Sequence, residues 1–195
     1  MDICRPDAAS VVGVILAGGR GSRMGGEDKG LVQYRNKPLY QHVLEKLRPQ
    51  VSSVCISANR NLERYQESGV LVIADTLPDY PGPLAGMMAA LQATDNEWLA
   101  FASCDTPALP ENLVQRLWQE KGPAQAVWAR TADRDHPTLA LLHHNVATEL
   151  AAYLAKGERR VMLFLQEIGG HAVLFEDTAA FNNINRPEDL YREEP

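Results

Sequence analysis

The sequence predicts an α/β fold, a three-layer sandwich around a mostly parallel sheet, in a single domain of 195 residues. Strand-like and helix-like segments alternate along the chain, and the links between them have crossover length, which is typical of parallel sheets. The first strand, 11–16, is apolar throughout, as expected for a strand covered by helices on both faces. The length supports one sizeable core and is short for two. In such a fold, ligands bind at the carboxyl ends of the strands.

The overall charge and the cysteine content exclude several classes of protein. The formal net charge is −6, whereas non-specific binding to nucleic acid requires a basic surface. The three cysteines are odd in number and lack C-x-x-C spacing, so they indicate neither a disulfide framework nor a zinc ribbon. The N-terminus lacks the apolar core of a signal peptide, and no apolar run approaches membrane-spanning length. We therefore expect a cytoplasmic protein that binds neither nucleic acid nor membrane.

A loop rich in glycines and cations follows the first strand. Glycines let backbone N–H groups approach a ligand, and Arg and Lys side chains add charge for phosphate. The loop is not a P-loop, because Lys29 is followed by Gly30, nor a dinucleotide fingerprint, because Met24 replaces its third glycine. A flexible surface turn is the alternative, but the position after a buried strand favours a polyphosphate site. The glycines and cations are Gly18, Gly19, Arg20, Gly21, Arg23, Gly25, Gly26, Lys29 and Gly30.

The remaining elements follow from apolar spacing and from Pro and Gly boundaries. Residues 31–34 are predicted as a short extended segment, and residues 36–38 open a helix that ends before Pro49. Further strands are predicted over 51–57, 70–74, 98–103, 124–129, 139–142 and 171–175. Further helices are predicted over 62–66, 84–91, 111–121, 146–156, 161–168 and 187–192. The link 130–138 is dense in polar side chains, as a solvated hairpin loop would be.

Polar residues stand where three of these strands end. Ser57 closes the second strand, Asp75 follows the third and Asp105 follows the fourth. The carboxyl ends of parallel strands meet at one edge, so these residues and the glycine loop are expected to lie together. One carboxylate suffices for Mg²⁺ when phosphate oxygens and waters complete its shell, which makes Asp105 the candidate metal ligand. Asp75 is as well explained as the cap of a turn.

Three further stretches have both a structural and a functional interpretation. The stiff loop before the helix at 84–91, with Gly82 and Gly86, is by its residues alone a strand-to-helix turn. Arg159 and Arg160 begin a helix, where the dipole disfavours cations; a bound phosphate would relieve the conflict, and exposed arginines paired with Glu158 are the alternative. The asparagines of the closing segment are common turn residues.

The loop string LAGGRGSRMGGEDK resembles the signature loop of the nucleotidyltransferases, in particular the molybdenum cofactor guanylyltransferase family. The likeness extends through DYPGPLAGM, CDTP, RDHPT, GERRVM and NxNxPEDL. It implies a Rossmann-like, glycosyltransferase A-like nucleotidyltransferase fold, Mg²⁺ as cofactor, and transfer of GMP from GTP to molybdopterin or molybdenum cofactor with release of pyrophosphate. It also implies contact with other cofactor-biosynthesis proteins and with molybdoenzyme chaperones.

The resemblance assigns the nucleotide to the N-terminal half, about 11–110, and the acceptor to the remainder, about 111–195. It implies three catalytic residues: Arg23, Lys29 and Asp105, the last also the metal ligand. It implies a GTP site formed by Leu16, Ala17, Gly18, Gly19, Arg23, Lys29, Ser57, Asp75, Gly82, Gly86 and Asp105. It implies an acceptor site formed by Arg134, Asp135, His136, Thr138, Arg159, Arg160, Asn183 and Asn185. Ser57 departs from the family, which has Asn beside the base.

Other functions remain open at this point. In the related cytidylyltransferases the loop reads LAAG, so Gly18 favours guanine over cytosine. A sugar-1-phosphate nucleotidyltransferase would share the first half of the chain and differ in its acceptor loops, so RDHPT and GERR argue against it. A GTP-binding regulator without catalysis is the non-enzyme alternative, and the presence of Lys29 and Asp105 argues against it.

Overall fold

The computed structural model describes residues 11–18, 26–75 and 82–191. Seven strands form one sheet, and two short strands form a hairpin beside it. The strands are β1 (Val11–Leu16), β2 (Gln33–Tyr34), β3 (Lys37–Pro38), β4 (Ser53–Ser57), β5 (Leu71–Ile73), β6 (Trp98–Ser103), β7 (Ala126–Arg130), β8 (Asp135–His143) and β9 (His171–Leu174). The helices are α1 (Leu39–Leu47), α2 (Leu62–Gln66), α3 (Pro83–Ala93), α4 (Leu113–Glu120), α5 (Ala147–Ala155) and α6 (Val161–Glu167).

The strand order of the large sheet is β5-β4-β1-β6-β8-β7-β9. β1 lies between β4 and β6 and is parallel to both, and the pairs β4–β5 and β7–β9 are also parallel. β8 alone runs the other way, antiparallel to its neighbours β6 and β7. The sheet is therefore mostly parallel, as the sequence predicts, and its one antiparallel strand, β8, lies between β6 and β7.

Helices cover both faces of the sheet. The alternation of side chains in β1 illustrates the layers: Val11 and Ile15 pack toward α1 and α4, whereas Val12 and Val14 pack toward α3, α5 and α6. Gly13 permits the close approach of α1, because a Cβ there would lie 2.9 Å from Cδ2 of Leu47. Both layers are filled by fully buried aliphatic and aromatic side chains, so the predicted three-layer sandwich is confirmed.

The structure corrects two local predictions. Residues 36–38 do not begin a helix: Arg35 and Asn36 have φ of 46° and 65°, which closes a tight hairpin between β2 and β3, and α1 begins at Leu39. The polar link before the predicted strand 139–142 is not a loop over its whole length, because β8 already begins at Asp135 and only 131–134 connect it to β7. Cross-strand hydrogen bonds override the polar composition of this stretch.

The remaining bounds agree with the predictions to within a few residues, although the closing helix is a 3-10 helix, Pro187–Tyr191. Among the described helices, none has the length and apolar character needed to cross a bilayer. Cys55 and Cys104 are buried free thiols. Burial raises the pKa of Cys55 to about 12, so its thiol stays protonated and unreactive.

Candidate active site

A pocket of about 320 Å³ opens at the carboxyl ends of β1, β4 and β6. Leu16, Ser57 and Ser103 end these strands in one row, since Leu16 pairs with Ser57 on one side and with Ser103 on the other. The chain after β1 continues to β4 on one side, and the chain after β6 continues to β7 and β8 on the other. Open α/β sheets bind ligands where connections diverge in this way. The described lining residues are Leu16, Gly18, Lys29, Ser57, Asn59, Gly82, Pro83, Gly86, Ser103, Cys104, Asp105, Thr138 and Asn183.

The charged end of the pocket is built on an ion pair between Lys29 and Asp105. The Lys29 ammonium donates to Oδ2 of Asp105 at 2.6 Å and to Oδ1 of Asn185 at 2.5 Å. Both side chains of the ion pair are largely shielded, with 17% and 12% of their surface exposed. The glycine-loop lysine, the carboxylate after β6 and an asparagine of the closing segment therefore meet at one point, although they are far apart in sequence.

The position of Asp105 is fixed from several directions. Ser103 donates its hydroxyl to Oδ1 of Asp105 at 2.5 Å, and the backbone N–H of Ile184 donates to the Asp105 carbonyl at 2.8 Å. Thr106 donates to Oδ1 of Asn183 at 3.1 Å. In the closing segment, the buried carboxylate of Asp189 accepts the backbone N–H groups of residues 185 and 186, both at 2.9 Å. The segment 183–189 is thus attached directly to the end of β6.

At the opposite end of the pocket, the described lining residues are uncharged and include glycines at positions that exclude a side chain. A Cβ at Gly86, in the first turns of α3, would lie 2.7 Å from Oγ of Ser57 and 3.2 Å from Cδ2 of Leu16. Gly82 has φ of 129°, a conformation that favours glycine, and Pro83 begins the helix. Glycine at position 86 therefore lets α3 approach Leu16 and Ser57 closely, and all three residues line the pocket.

Asn59 joins two of the predicted residues. Its Oδ1 accepts the backbone N–H of Asp75 at 3.2 Å, and its Nδ2 would lie 3.0 Å from a Cβ at Gly18. Asp75 itself does not line the pocket; it stands behind Asn59 at the exit of β5. Ala17 is buried, and its backbone N–H bonds to the carbonyl of Ser57. Gly19 and Arg23, also predicted at this site, lie outside the described residues.

The RDHPT stretch is divided by its strand. Thr138 alone lines the pocket. Asp135 accepts a forked pair from Arg130 at 2.8 and 2.9 Å and the Trp128 indole N–H at 2.7 Å, and the Arg130 bond holds its pKa below the usual range. His136 is buried; its Nε2 lies 2.9 Å from Oγ1 of Thr131, and burial lowers its pKa.

The predicted acceptor arginines also lie away from the lining of this pocket. Arg134 is exposed and lines a neighbouring cavity of about 310 Å³, which Asn183 and Asn185 share. Arg159 and Arg160 are exposed just before α6, and Arg160 lies 3.7 Å from the carboxylate of Glu158. Of the predicted acceptor residues, therefore, the structure brings Thr138 and Asn183 to the lining of the pocket and Asn185 to Lys29 at its charged end.

Several residues of the site have no predicted role in the sequence interpretation. These residues, Asn59, Ser103 and Asp189, line or support the pocket only because the folded chain brings them there. Asn59 had a usable signal, because it follows a strand end by two residues, and Ser103 ends the strand before Asp105. Asp189 also had a local signal, because an acidic residue in the first turn after NxN can accept backbone N–H groups of its own turn, as it does here.

The oxygen donors at the charged end suit a hard cation bound together with phosphates. Within the described residues there is no group of three or more His, Cys, Asp or Glu side chains that could hold a metal ion alone. Asp105 offers one carboxylate, and Asn183 and Asn185 have amide oxygens beside it. Mg²⁺ characteristically takes one or two carboxylates and completes its shell with phosphate oxygens and water. The donor set therefore fits a cation that arrives with a triphosphate.

Comparison with known proteins agrees with this geometry. The sequence profile of the MobA-like NTP transferase domain matches residues 13–170. Molybdenum cofactor guanylyltransferase of Serratia proteamaculans is 54% identical over 183 residues, 93% of each chain. The enzyme of the same name from Yersinia pestis (strain Pestoides F) is 51% identical over 181 residues, 92% of this chain and 93% of its own.

Solved structures extend the likeness. The molybdopterin-guanine dinucleotide biosynthesis protein A of Archaeoglobus fulgidus superposes with a TM-score of 0.77 at 27% identity, covering 94% of this chain and 96% of its own. The 4-diphosphocytidyl-2C-methyl-D-erythritol synthase of Anaerococcus prevotii has a TM-score of 0.73 at 12% identity over 94% and 96% of the chains, which shows the shared fold alone. The chain belongs to the family of MobA-like NTP transferases, and it is a nucleotidyltransferase.

Proposed function

We propose that this chain transfers GMP from GTP to molybdopterin or to its molybdenum-loaded form. A phosphate oxygen of the acceptor attacks the α-phosphorus of GTP, the bond from that phosphorus to the bridging oxygen of the β-phosphate breaks, and pyrophosphate leaves. The product is the guanine dinucleotide form of the cofactor. The names of relatives at 51–54% identity over nearly the whole chain support this acceptor and this nucleotide.

The observation that carries the proposal is the meeting of Lys29, Asp105 and Asn185 at the charged end of the pocket. The Lys29 ammonium can neutralise phosphate oxygens of the reacting triphosphate, which is the largest requirement of phosphoryl-type transfer. We assign the same role to Arg23 and to N–H groups of the glycine loop. No histidine is among the described lining residues, and none is required, because an attacking phosphate is already ionised near neutral pH.

We further propose Mg²⁺ as the cofactor, with Asp105 as its protein ligand. Held by Asp105, the ion would supply charge stabilisation at the reacting phosphorus. Ser103 supports this role, because its hydroxyl orients Oδ1 of Asp105. Lys29 donates to the other oxygen, which places its ammonium beside the proposed ion and within reach of the phosphates.

The neutral end of the pocket is proposed to hold guanine beside Leu16, Gly18, Ser57, Gly82 and Gly86, with Ala17 and Gly19 contributing backbone and Asp75 acting through Asn59. The acceptor is proposed to approach over the C-terminal half, past Thr138, Asn183 and Asn185. Of the remaining predicted acceptor residues, Arg134, Arg159 and Arg160 are proposed to contact it outside the pocket, whereas Asp135 and His136 support β8. The buried free thiols are consistent with a location in the cytoplasm.

The deciding experiment is a pyrophosphate-release assay with Mg²⁺ and molybdopterin, run separately with GTP, CTP, ATP and UTP. Turnover is expected with GTP, with formation of the guanine dinucleotide verified by mass spectrometry. Preferred use of CTP would convert the assignment to a cytidylyltransferase. Turnover with sugar 1-phosphates in place of molybdopterin would overturn the acceptor. Binding of GTP without release of pyrophosphate under any of these conditions would favour a regulator.

A further inference from the structure

Asp28, the residue before Lys29, has a buried carboxylate that does not line the pocket. Only 3% of its side chain is exposed. A charged group in such a place requires compensation, because a carboxylate buried without partners loses its hydration and gains nothing in return. The question is therefore what holds Asp28 and why the chain places a carboxylate there.

Within the part of the chain that the structure describes, the partners of the carboxylate come from one stretch, residues 60–65, just before and within α2. Tyr65 donates its hydroxyl to Oδ1 of Asp28 at 2.6 Å, and Asn61 donates Nδ2 to Oδ2 at 3.0 Å. The Arg60 guanidinium lies 3.9 Å from the same Oδ2. Burial and the bond to Asp28 raise the pKa of Tyr65, which keeps its hydroxyl a donor. We name residues 60–65 with Asp28 the Asp28 clamp.

The Asp28 clamp also grips the backbone that leaves the glycine loop. Arg60 donates to the carbonyl of Gly26 at 3.2 Å and to that of Glu27 at 3.0 Å. Gly30 completes the fit, since a Cβ there would collide with the Tyr65 hydroxyl. The clamp therefore fixes the three residues directly before Lys29 by side chains that lie more than thirty positions later.

The backbone transmits this constraint to Lys29. The Asp28 carbonyl accepts the N–H of Leu31 at 2.9 Å, which starts the 3-10 turn Lys29–Leu31. A lysine side chain is long and flexible, so its ammonium stays at one point only if its Cα is fixed and its partners are close. Both conditions hold here, with Asp105 and Asn185 within 2.6 Å.

We infer that Asp28 is a positioning residue: the Asp28 clamp fixes the backbone of Lys29 so that its ammonium is held at Asp105 and Asn185, where the triphosphate would bind. Binding of a triphosphate at this point rests on the proposed function, whereas the placement of Lys29 by Asp28 does not. Asp28 acts through Lys29 and touches no substrate.

The first test needs no catalysis. The rate at which a small acetylating reagent modifies Lys29 is measured by peptide mass spectrometry in the wild type, Asp28→Asn, Tyr65→Phe and Glu27→Gln. Glu27→Gln is the matched control, because it removes an adjacent carboxylate that is exposed. We expect Asp28→Asn to speed modification about fivefold or more, Tyr65→Phe to speed it less, and Glu27→Gln to leave it unchanged.

Modification of Cys55 by a thiol reagent reports global opening in the same samples. An unchanged modification rate at Cys55 together with a faster modification rate at Lys29 supports the role of the Asp28 clamp. An Asp28→Asn protein in which Lys29 reacts at the wild-type rate overturns it, and so does a parallel rise at Cys55, which indicates general loosening. Should Asp28→Asn fail to fold, Tyr65→Phe decides by the same two rates.

The second test is a double-mutant cycle in guanylyl transfer. Asp28→Asn is expected to lower kcat/KM at least about tenfold when Lys29 is present and less than about twofold in a Lys29→Ala background. A structural role unrelated to Lys29 would give equal losses in both backgrounds, and that result overturns the inference. Absence of wild-type transfer would refute the proposed function and leave the labelling result standing.

Discussion

Two regions place polar residues at the same edge of the sheet: the carboxyl ends of the parallel strands β1, β4 and β6, and the first half of the antiparallel strand β8. The polar side chains of the two regions have different surroundings. At the parallel strands, each chain exit points into the pocket, so Lys29, Ser57 and Asp105 face a common space. Along β8 the polar residues belong to the strand itself, and a register shift opposite Trp128 and Ala129 interrupts the alternation that would place His136 and Thr138 on one face. Thr138 reaches the pocket, whereas His136 turns into the core.

This difference explains how far the sequence could be interpreted. Polar residues after an apolar run locate a ligand edge, because parallel strands end together whatever follows them. That inference does not extend to RDHPT, because the strand continues through these polar residues and a register shift opposite Trp128 and Ala129 alters the alternation. Contacts such as Asp28 with Tyr65, or Asp105 with the 184 backbone, join distant positions and leave no local pattern to detect.

The largest effect is expected from a substitution at the charged end of the pocket. Asp105→Asn keeps the shape and one acceptor oxygen but removes the charge, so transfer is expected to fall by about 10² or more while the protein still folds. Transfer is measured across a Mg²⁺ titration, with thermal melting as the folding control. Asp95→Asn, which neutralises an exposed carboxylate, serves as the matched variant. An Asp105→Asn enzyme with normal turnover and normal Mg²⁺ dependence would remove Asp105 from the metal site.

A second prediction concerns the neutral end of the same pocket. Gly86→Ala would place a Cβ 2.7 Å from Oγ of Ser57, so side chains must shift into the space proposed for the base. We expect the KM for GTP to rise about tenfold, with little change in melting temperature. Ser57→Ala removes the obstructing oxygen, so the double variant is expected to recover part of the loss. If the losses of the two single variants simply add in the double variant, crowding at Ser57 is not the cause.

The acceptor side is expected to respond less. Arg159 and Arg160 are exposed, so a phosphate held by them would lie outside the pocket, and each contact is weakened by water. Replacing both by Ala is expected to weaken molybdopterin binding by about tenfold at most, with GTP binding unchanged. Titration of each ligand by calorimetry separates the two effects. Equal weakening of the binding of GTP and of molybdopterin would mean that the two proposed binding regions are not independent.

The smallest effect is expected at His136 and concerns stability. Burial lowers its pKa in the folded protein, so the unfolded chain binds the proton at a higher pH, near the ordinary value of about 6.5. Below that value the unfolded state takes up more protons, and stability falls as pH decreases. The melting temperature is expected to drop between about pH 7.5 and 5.5 more in the wild type than in His136→Gln. His144→Gln, at an exposed histidine, should behave as the wild type.

The position of β1 in the sheet has a consequence for how the protein acquires its site. β1 pairs with β6, so Val11 lies beside Trp98 and Leu16 beside Ser103, and each of these pairs joins positions that are 87 residues apart (98 − 11 and 103 − 16). Pairings of such high sequence separation require closing a long stretch of chain and form slowly. The pocket cannot exist before this pairing is made. Recovery of nucleotide binding during refolding from denaturant should therefore follow the formation of the central strands and trail the appearance of helical signal.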